Sequence, residues 1–210
     1  MKIAVIGTGQ VGGTLGRKWA KAGHDVVFGT RDPSGEKVKV LLKECGAKAS
    51  AQPVSKAVIG AQVVVLATPW AATQQAVKEA GGLKGKVVVD CTNPLAPDLG
   101  SLVVGHTTSG GEQIASWIPE AHVVKAFNST GSGNMEAPHY HGQALTMFIC
   151  GDDTEARKTV TRLVEEIGFE VCDAGPLAMS RCLEPLAMLW IALAYRQGLG
   201  VNIGLKLLRR

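Results

Sequence analysis

The first run of the chain able to do chemistry is Gly7-Thr8-Gly9-Gln10-Val11-Gly12. It follows a short apolar stretch at residues 3–6 and leads into a segment of helical periodicity. Each glycine has a task at this spacing. Gly7 permits a tight turn, Gly9 lets the backbone approach a pyrophosphate, and Gly12 allows a helix to pack closely on the strand. The N-terminus of that helix offers free N–H groups and a partial positive charge to phosphates. A glycine-rich turn alone is a weak signal. The strand before it, the helix after it and a second apolar strand at 25–28 supply the context that predicts a dinucleotide site.

The second strand runs into Gly29-Thr30-Arg31. A unit built for NAD would place Asp or Glu here to bind the ribose 2′-hydroxyl. Thr30 and Arg31 instead present a hydroxyl and a guanidinium, the groups that suit a 2′-phosphate. They predict NADP(H). Asp32 is of the wrong sign and would repel a phosphate if it turned inward.

In open α/β sheets, ligands sit beyond the carboxyl ends of the strands. Three further strand ends carry unusual residues: Thr68-Pro69-Trp70, Cys91-Thr92-Asn93-Pro94 and Ala126-Phe127-Asn128-Ser129. Thr68, Pro69, Trp70, Asn93, Pro94, Phe127 and Asn128 are accordingly candidates for shaping the cofactor cleft. Trp70 is a flat wall or a helix-start packing residue, and Pro69 and Pro94 also suit plain strand termination. Asn93 and Asn128 orient a carboxamide or shape their turns. His139-x-His141 has the look of a metal pair but lacks a third ligand nearby, so a solvated loop is expected and no metal is assigned. Cys91 reads as a small buried residue. There is no Gly-x-Ser-x-Gly elbow and no paired-carboxylate spacing. No catalytic acid or base is assigned.

The elements that must position these residues follow from periodicity. Apolar runs at 3–6, 26–28, 63–67, 87–89, 123–127 and 147–150 suit strands buried on both faces, with a last short strand at 170–173. Val11, Leu15, Trp19 and Ala22 mark one face of a helix ended by Gly23. Val38, Leu41, Leu42 and Cys45 mark a second, ended by Gly46, and Val160, Leu163, Val164 and Ile167 a third, ended by Gly168. Strand–helix alternation predicts an α/β, Rossmann-type, doubly wound and mostly parallel sheet over residues 1–175. From 178 to 208 helix formers dominate, so residues 176–210 are expected to form a helical cap or dimerisation segment, too short to be a domain of its own. The apolar stretch 183–195 falls short of the ~20 residues that span a bilayer. It predicts a buried or interface helix, hence no membrane partner and a homodimer.

Composition narrows the classes further. With 46% hydrophobic and 19% charged residues the chain is globular. A net charge of +4 without a basic run argues against nucleic acid as partner. Five scattered cysteines without a Cys-x-x-Cys read as reduced thiols of a cytoplasmic protein.

Six segments in order resemble the NADPH-dependent oxidoreductases of the deazaflavin coenzyme F-420. They also resemble the cytosolic NADPH:flavin oxidoreductase domains of the STEAP metalloreductases. These are Gly7–Gly12, Gly29-Thr30-Arg31, Thr68-Pro69-Trp70, Val124-Lys125-Ala126-Phe127-Asn128, Cys150-Gly151-Asp152-Asp153 and Asp173-Ala174-Gly175-Pro176-Leu177. The resemblance implies hydride transfer between NADPH and a small-molecule redox acceptor, coenzyme F-420 or a flavin (FMN or FAD). Such transfer is catalysed mainly by positioning and needs no side-chain acid. Two other readings stand beside it. Reduction of a small carbonyl or imine would need a positioned proton donor, for which Lys125 is the candidate. A non-catalytic NADPH-binding or sensing module would need none.

Overall fold

The computed structural model describes residues 1–210. Its first half alternates β1 (Lys2–Ile6), α1 (Gln10–Lys21), β2 (Asp25–Gly29), α2 (Glu36–Cys45), β3 (Ala49–Gln52) and a single turn, α3 (Val54–Ala57). There follow β4 (Val63–Leu66), α4 (Trp70–Ala80), β5 (Val87–Asp90), α5 (Gly110–Trp117) and β6 (His122–Lys125). The last third contains α6 (Ser132–Glu136), a hairpin of β7 (His139–Tyr140) and β8 (Gln143–Ala144), then β9 (Thr146–Gly151), α7 (Thr154–Ile167), β10 (Glu170–Asp173) and α8 (Ser180–Ile191).

Eight strands make one sheet in the order β10-β9-β6-β5-β4-β1-β2-β3. Every neighbouring pair is parallel except β6 and β9. This is the doubly wound, mostly parallel architecture expected. Its central strands are continuous apolar runs because helices cover both faces: β4 is Val-Val-Val-Leu and wholly buried. One face packs under α1, α2 and α7, with Leu15, Trp19 and Phe28 at its centre. Burying side chains of this size contributes roughly 1.5–3 kcal/mol each. The other face packs under α3, α4 and α5. Helix α1 approaches the sheet closely because Gly16 lacks a side chain; a Cβ there would lie 2.4 Å from the Phe28 ring. Helix α7 carries both end signals. Asp153 accepts the Ala156 N–H at 2.7 Å, and Gly168 closes the helix at φ +108°.

The structure departs from expectation in three places. Strand β3 is an alternation of small and polar residues, Ala-Ser-Ala-Gln, with no β-branched signal. The short β7–β8 hairpin holds His139, and its turn takes His141 to φ +50°. The C-terminal segment is helical only to Arg196. The run Leu177–Arg196 is 20 residues of mean hydropathy 1.4, long and apolar enough by composition to cross a membrane, and longer than the 183–195 expected. It is seated on the domain through Leu183, Ala187, Trp190 and Ala194.

Beyond Arg196, Gly198 (φ +72°) and Gly200 (φ +75°) turn the chain, and an extended tail returns across the start of β9. Thr146 donates its N–H to Leu205 O at 2.9 Å, and its hydroxyl accepts from Leu207 N at 3.0 Å. Trp190 Nε1 and Asn134 Nδ2 both donate to Ile203 O, at 2.9 and 2.7 Å. These bonds replace the helical ladder that helix-forming residues alone would suggest.

Candidate cofactor and acceptor site

Backbone bonds hold the carboxyl ends of the strands in one row. Gly7 N donates to Gly29 O (3.2 Å), Ala67 N to Ile6 O (2.9 Å), Cys91 N to Leu66 O (3.1 Å) and Ala126 N to Asp90 O (3.1 Å). The turns that carry the candidate residues therefore emerge side by side. In the first of them Gly7 has φ +111°, and a Cβ would sit 2.4 Å from Ala67 O. A Cβ on Gly12 would sit 2.2 Å from Gly7 O, so α1 could not keep its place with alanine there. Gly9 differs, because nothing lies within 4 Å of where its Cβ would be. That open side faces the start of α1, whose cap has no side-chain acceptor. The N–H groups of Gln10, Val11 and Gly12 have no protein partner. A bare helix terminus with an open glycine beside it fits a pyrophosphate.

Next to the loop lies a cavity of about 300 Å³, lined by Gly7, Thr8, Gly9, Thr30, Arg31, Thr68 and Pro69, with Val54, Ala72, Gln75 and Glu79 on its far walls. Asp32 does not line it. Asp32 Oδ1 is occupied by the Ser34 N–H (3.2 Å) and hydroxyl (3.0 Å), which turns the carboxylate into its own loop. Thr30 Oγ1 accepts the Asp32 N–H at 3.3 Å and keeps its proton free to donate. The corner that would meet a 2′-phosphate thus presents Thr30 and Arg31 without the opposing charge.

Thr68 and Pro69 also line a second cavity of about 410 Å³, shared with Trp70, Cys91, Thr92, Asn93 and an apolar hairpin that includes Leu95 and Leu99. Trp70 stacks on Trp117 with ring centroids 5.6 Å apart, so its position is fixed from behind. Asn93 and Asn128 bind each other. Asn93 Nδ2 donates to Asn128 O (2.8 Å), and Asn128 Nδ2 donates to Asn93 Oδ1 (3.0 Å) and Leu183 O (3.0 Å). Asn128 is buried behind Asn93, and Pro94 packs against α5 rather than on either cavity.

Phe127 corrects the sequence reading. It takes φ +61°, and its ring is buried between Trp19 (5.8 Å) and Phe169 (6.4 Å) in the core beneath α1 and α7. The left-handed backbone swings the ring away from the cleft, so it cannot stack on a cofactor. His139 and His141 lie exposed in their hairpin, and no three His, Cys, Asp or Glu side chains converge.

Residues 2–94 match the family model described as "NADP oxidoreductase coenzyme F420-dependent". The F420-dependent NADP reductase of Methanocaldococcus jannaschii is 30% identical over 220 residues, covering 97% of this chain and 98% of that protein. The chain belongs to this family. A crystal structure from Arthrobacter sp. FB24, assigned as an F420-dependent NADP-reductase, superposes with TM-score 0.91 at 35% identity over 100% of both chains. Rattus norvegicus metalloreductase STEAP3 is also 30% identical over 190 residues, but the chain spans only 36% of its length. The protein is an NADP(H)-dependent oxidoreductase.

Lys125, the candidate proton donor, is drawn into a cluster whose carboxylates were not among the expected site residues. Lys125, Asp90 and Glu184 form a charge cluster with exposures of 0%, 0% and 1%. Lys125 Nζ meets Glu184 Oε1 at 3.0 Å and Asp90 Oδ2 at 2.6 Å, and donates to Thr92 O at 2.8 Å. The Asp90 approach is off the hydrogen-bond direction, leaving Oδ2 with only the ion pair. Burial pulls the Lys125 ammonium down, and the two carboxylates more than offset it, so its pKa stands above the ordinary lysine value. Enclosed and met by three oxygens, Lys125 lines neither cavity. Burial also pushes the Cys91 thiol up, which keeps it protonated and inert.

Signals for this cluster were present in the chain. Asp90 and Lys125 end two valine-rich strands and stand in register, and Glu184 interrupts an apolar helix. Charges in such settings must find partners. Gln75 and Glu79, by contrast, are helix-borne and belong to no motif.

Proposed function

We propose that this chain transfers hydride between NADPH and coenzyme F-420, with a flavin as the alternative ring. The observation that carries this reading is the pair of cavities that share Thr68 and Pro69 in their walls, one beside the glycine-rich loop and the other walled by apolar side chains and Trp70. When bound, NADPH would supply a hydride from its nicotinamide ring, and the acceptor ring would take it up together with a proton from solvent. The chain's own residues bind, orient and exclude water. The loop Gly7, Thr8, Gly9, Gln10, Val11 and Gly12 holds the pyrophosphate. Thr30 and Arg31 hold the 2′-phosphate, Thr68 and Pro69 stand between the two rings' places, and Trp70 and Asn93 wall the acceptor side. Asn128 and Pro94 support that wall from behind. A neutral, largely apolar cleft favours two stacked rings held in register, which is where the catalysis of such a transfer lies.

Reduction of a carbonyl or imine is the weaker reading, since it requires a placed proton donor and Lys125 is sealed from the cleft. The test is to mix the protein with NADPH and follow bleaching of coenzyme F-420, FMN and FAD separately. Rapid bleaching of F-420 is expected. Bleaching of FMN or FAD alone would transfer the assignment to a flavin, and none of the three would sink it, leaving NADPH sensing or carbonyl reduction.

We further infer two units, a nucleotide-binding domain over 1–175 and a C-terminal segment over 176–210, in a cytoplasmic homodimer with no nucleic-acid or membrane partner. Leu189, Tyr195, Leu199 and Val201 are exposed together along the end of α8 and the chain after it. Sedimentation equilibrium should return about twice the chain mass of 22.0 kDa. A single-chain mass at all concentrations would rule the dimer out.

A further inference from the structure

Two adjacent residues of α8 reach the walls of the second cavity by three separate routes without entering it. Leu183 O accepts from Asn128, which in turn holds Asn93. Glu184 pairs with Lys125 at 3.0 Å, and Lys125 donates to Thr92 O at 2.8 Å. Glu184 also accepts the N–H groups of Gly110 (2.9 Å) and Gly111 (3.0 Å) at the start of α5. This is a helix terminus satisfied by the chain's own carboxylate, a charge-assisted arrangement. It presses the first turn of α5 onto the cavity wall: a Cβ at Gly110 would lie 3.1 Å from Trp70 Cζ3 and 3.2 Å from Pro94 Cδ. Asn93, Thr92 and Trp70 all line the cavity.

We propose that the Leu183-Glu184 step of α8 is the positioning element of the acceptor half of the site. It fixes Trp70, Thr92 and Asn93 from outside, so α8 is required for acceptor reduction and dispensable for NADPH binding. Glu184 is a positioning residue, because it touches neither cavity. The proposal rests on the reading that the second cavity takes the acceptor. Displacing a cavity wall by a fraction of an ångström is enough to slow a transfer that depends on alignment.

Glu184→Gln keeps the shape but presents a single acceptor oxygen, so one glycine N–H loses its partner and Lys125 loses an anion. In the full-length protein, NADPH affinity should stay at the wild-type value while kcat/KM for F-420 falls between about 10- and 100-fold. Hydrogen exchange at residues 91–94 and 110–111 should quicken, with residues 7–13 unchanged. Val160→Ala, a buried site in α7, is the control for plain destabilisation. It should lower Tm yet leave acceptor kinetics and exchange at 91–94 as in the wild type.

Wild-type acceptor kinetics and exchange in Glu184→Gln would overturn the proposal, as would a matching loss of NADPH affinity. Should that variant not accumulate in folded form, Asn128→Ala cuts the Leu183 route without unpairing a charge and is read by the same measurements. If the wild type reduces no acceptor, the proposed function fails, while the exchange comparison still decides the positioning role.

Discussion

Replacing Lys125 by Met is expected to destabilise the folded chain by about 3–5 kcal/mol, the cost of breaking a buried ion cluster from one side. In a domain of this size that corresponds to a fall in Tm of roughly 6–20 °C. The magnitude comes from what remains. Asp90 and Glu184 would be left as buried carboxylates of like sign, each without its only counter-charge, Asp90 keeping the two Thr92 bonds on Oδ1 and Glu184 the two glycine N–H groups. Adding Asp90→Asn should recover part of the loss, because it removes the worse-placed charge while keeping an acceptor for Thr92.

The sign of the pH dependence also follows. A lysine whose pKa is raised by folding contributes stability that is complete below its unfolded value, about 10.4, and that is lost as pH rises through the folded value. The wild-type contribution of Lys125 should therefore hold from about pH 6 to 9 and fall only in strong alkali. Thermal melts across that range check both points. A Tm shift under about 2 °C would mean that the cluster is not closed to water. Lost turnover in this variant does not identify a proton donor, since a destabilised protein loses turnover as well. Activity must be expressed per folded molecule.

How far each feature could be read from the chain depends on the range of the interaction that decides it. The strand–turn–helix at the start of the chain was legible because strand, three glycines and helix are contiguous, and their spacing carries the steric argument without knowledge of the fold. The doubly wound sheet was legible for the same reason, each buried strand being a short apolar run. Strand β3 was not, because small residues at a sheet edge carry no apolar signal. Phe127 was misjudged because strand alternation cannot foresee a left-handed residue just past a strand end. Its φ of +61° reverses the side to which its ring points. The extended tail was hidden by helix-forming residues whose preference is overridden by bonds to Thr146 and Asn134. Glu184 lies between these extremes. A carboxylate in an apolar helix announces a partner, but only the fold brings α8 against β5, β6 and the start of α5.

Asp32 shows the same dependence on local partners, and it leads to the second large effect. Beside Arg31 in sequence, it was the one residue that stood against the NADP(H) prediction. In the structure its Oδ1 is saturated by Ser34, and Arg31 borders the cavity beside the glycine-rich loop with no ion-pair partner. Arg31→Ala should then weaken NADPH binding by about 10- to 100-fold, the equivalent of the ~1.5–3 kcal/mol typical of a hydrogen bond to a charged group. NADH affinity should be nearly unchanged, because NADH has no group for the guanidinium to hold.

Two titrations on each protein measure this, and their ratio is the informative quantity. A parallel loss for both nucleotides would assign Arg31 to the cavity wall and remove it from phosphate recognition. Salt supplies an independent check. The guanidinium is exposed, so the preference for NADPH over NADH should narrow as ionic strength rises in the wild type, and show little salt dependence once Arg31 is gone. Ser34→Ala offers the complementary case. It frees one of the two bonds that hold Asp32 Oδ1 in its own loop, and a carboxylate released toward the cavity would oppose the 2′-phosphate. NADPH affinity should fall in that variant although Ser34 itself lies outside the cavity lining, which would locate the discrimination in the balance between Arg31 and the restrained Asp32.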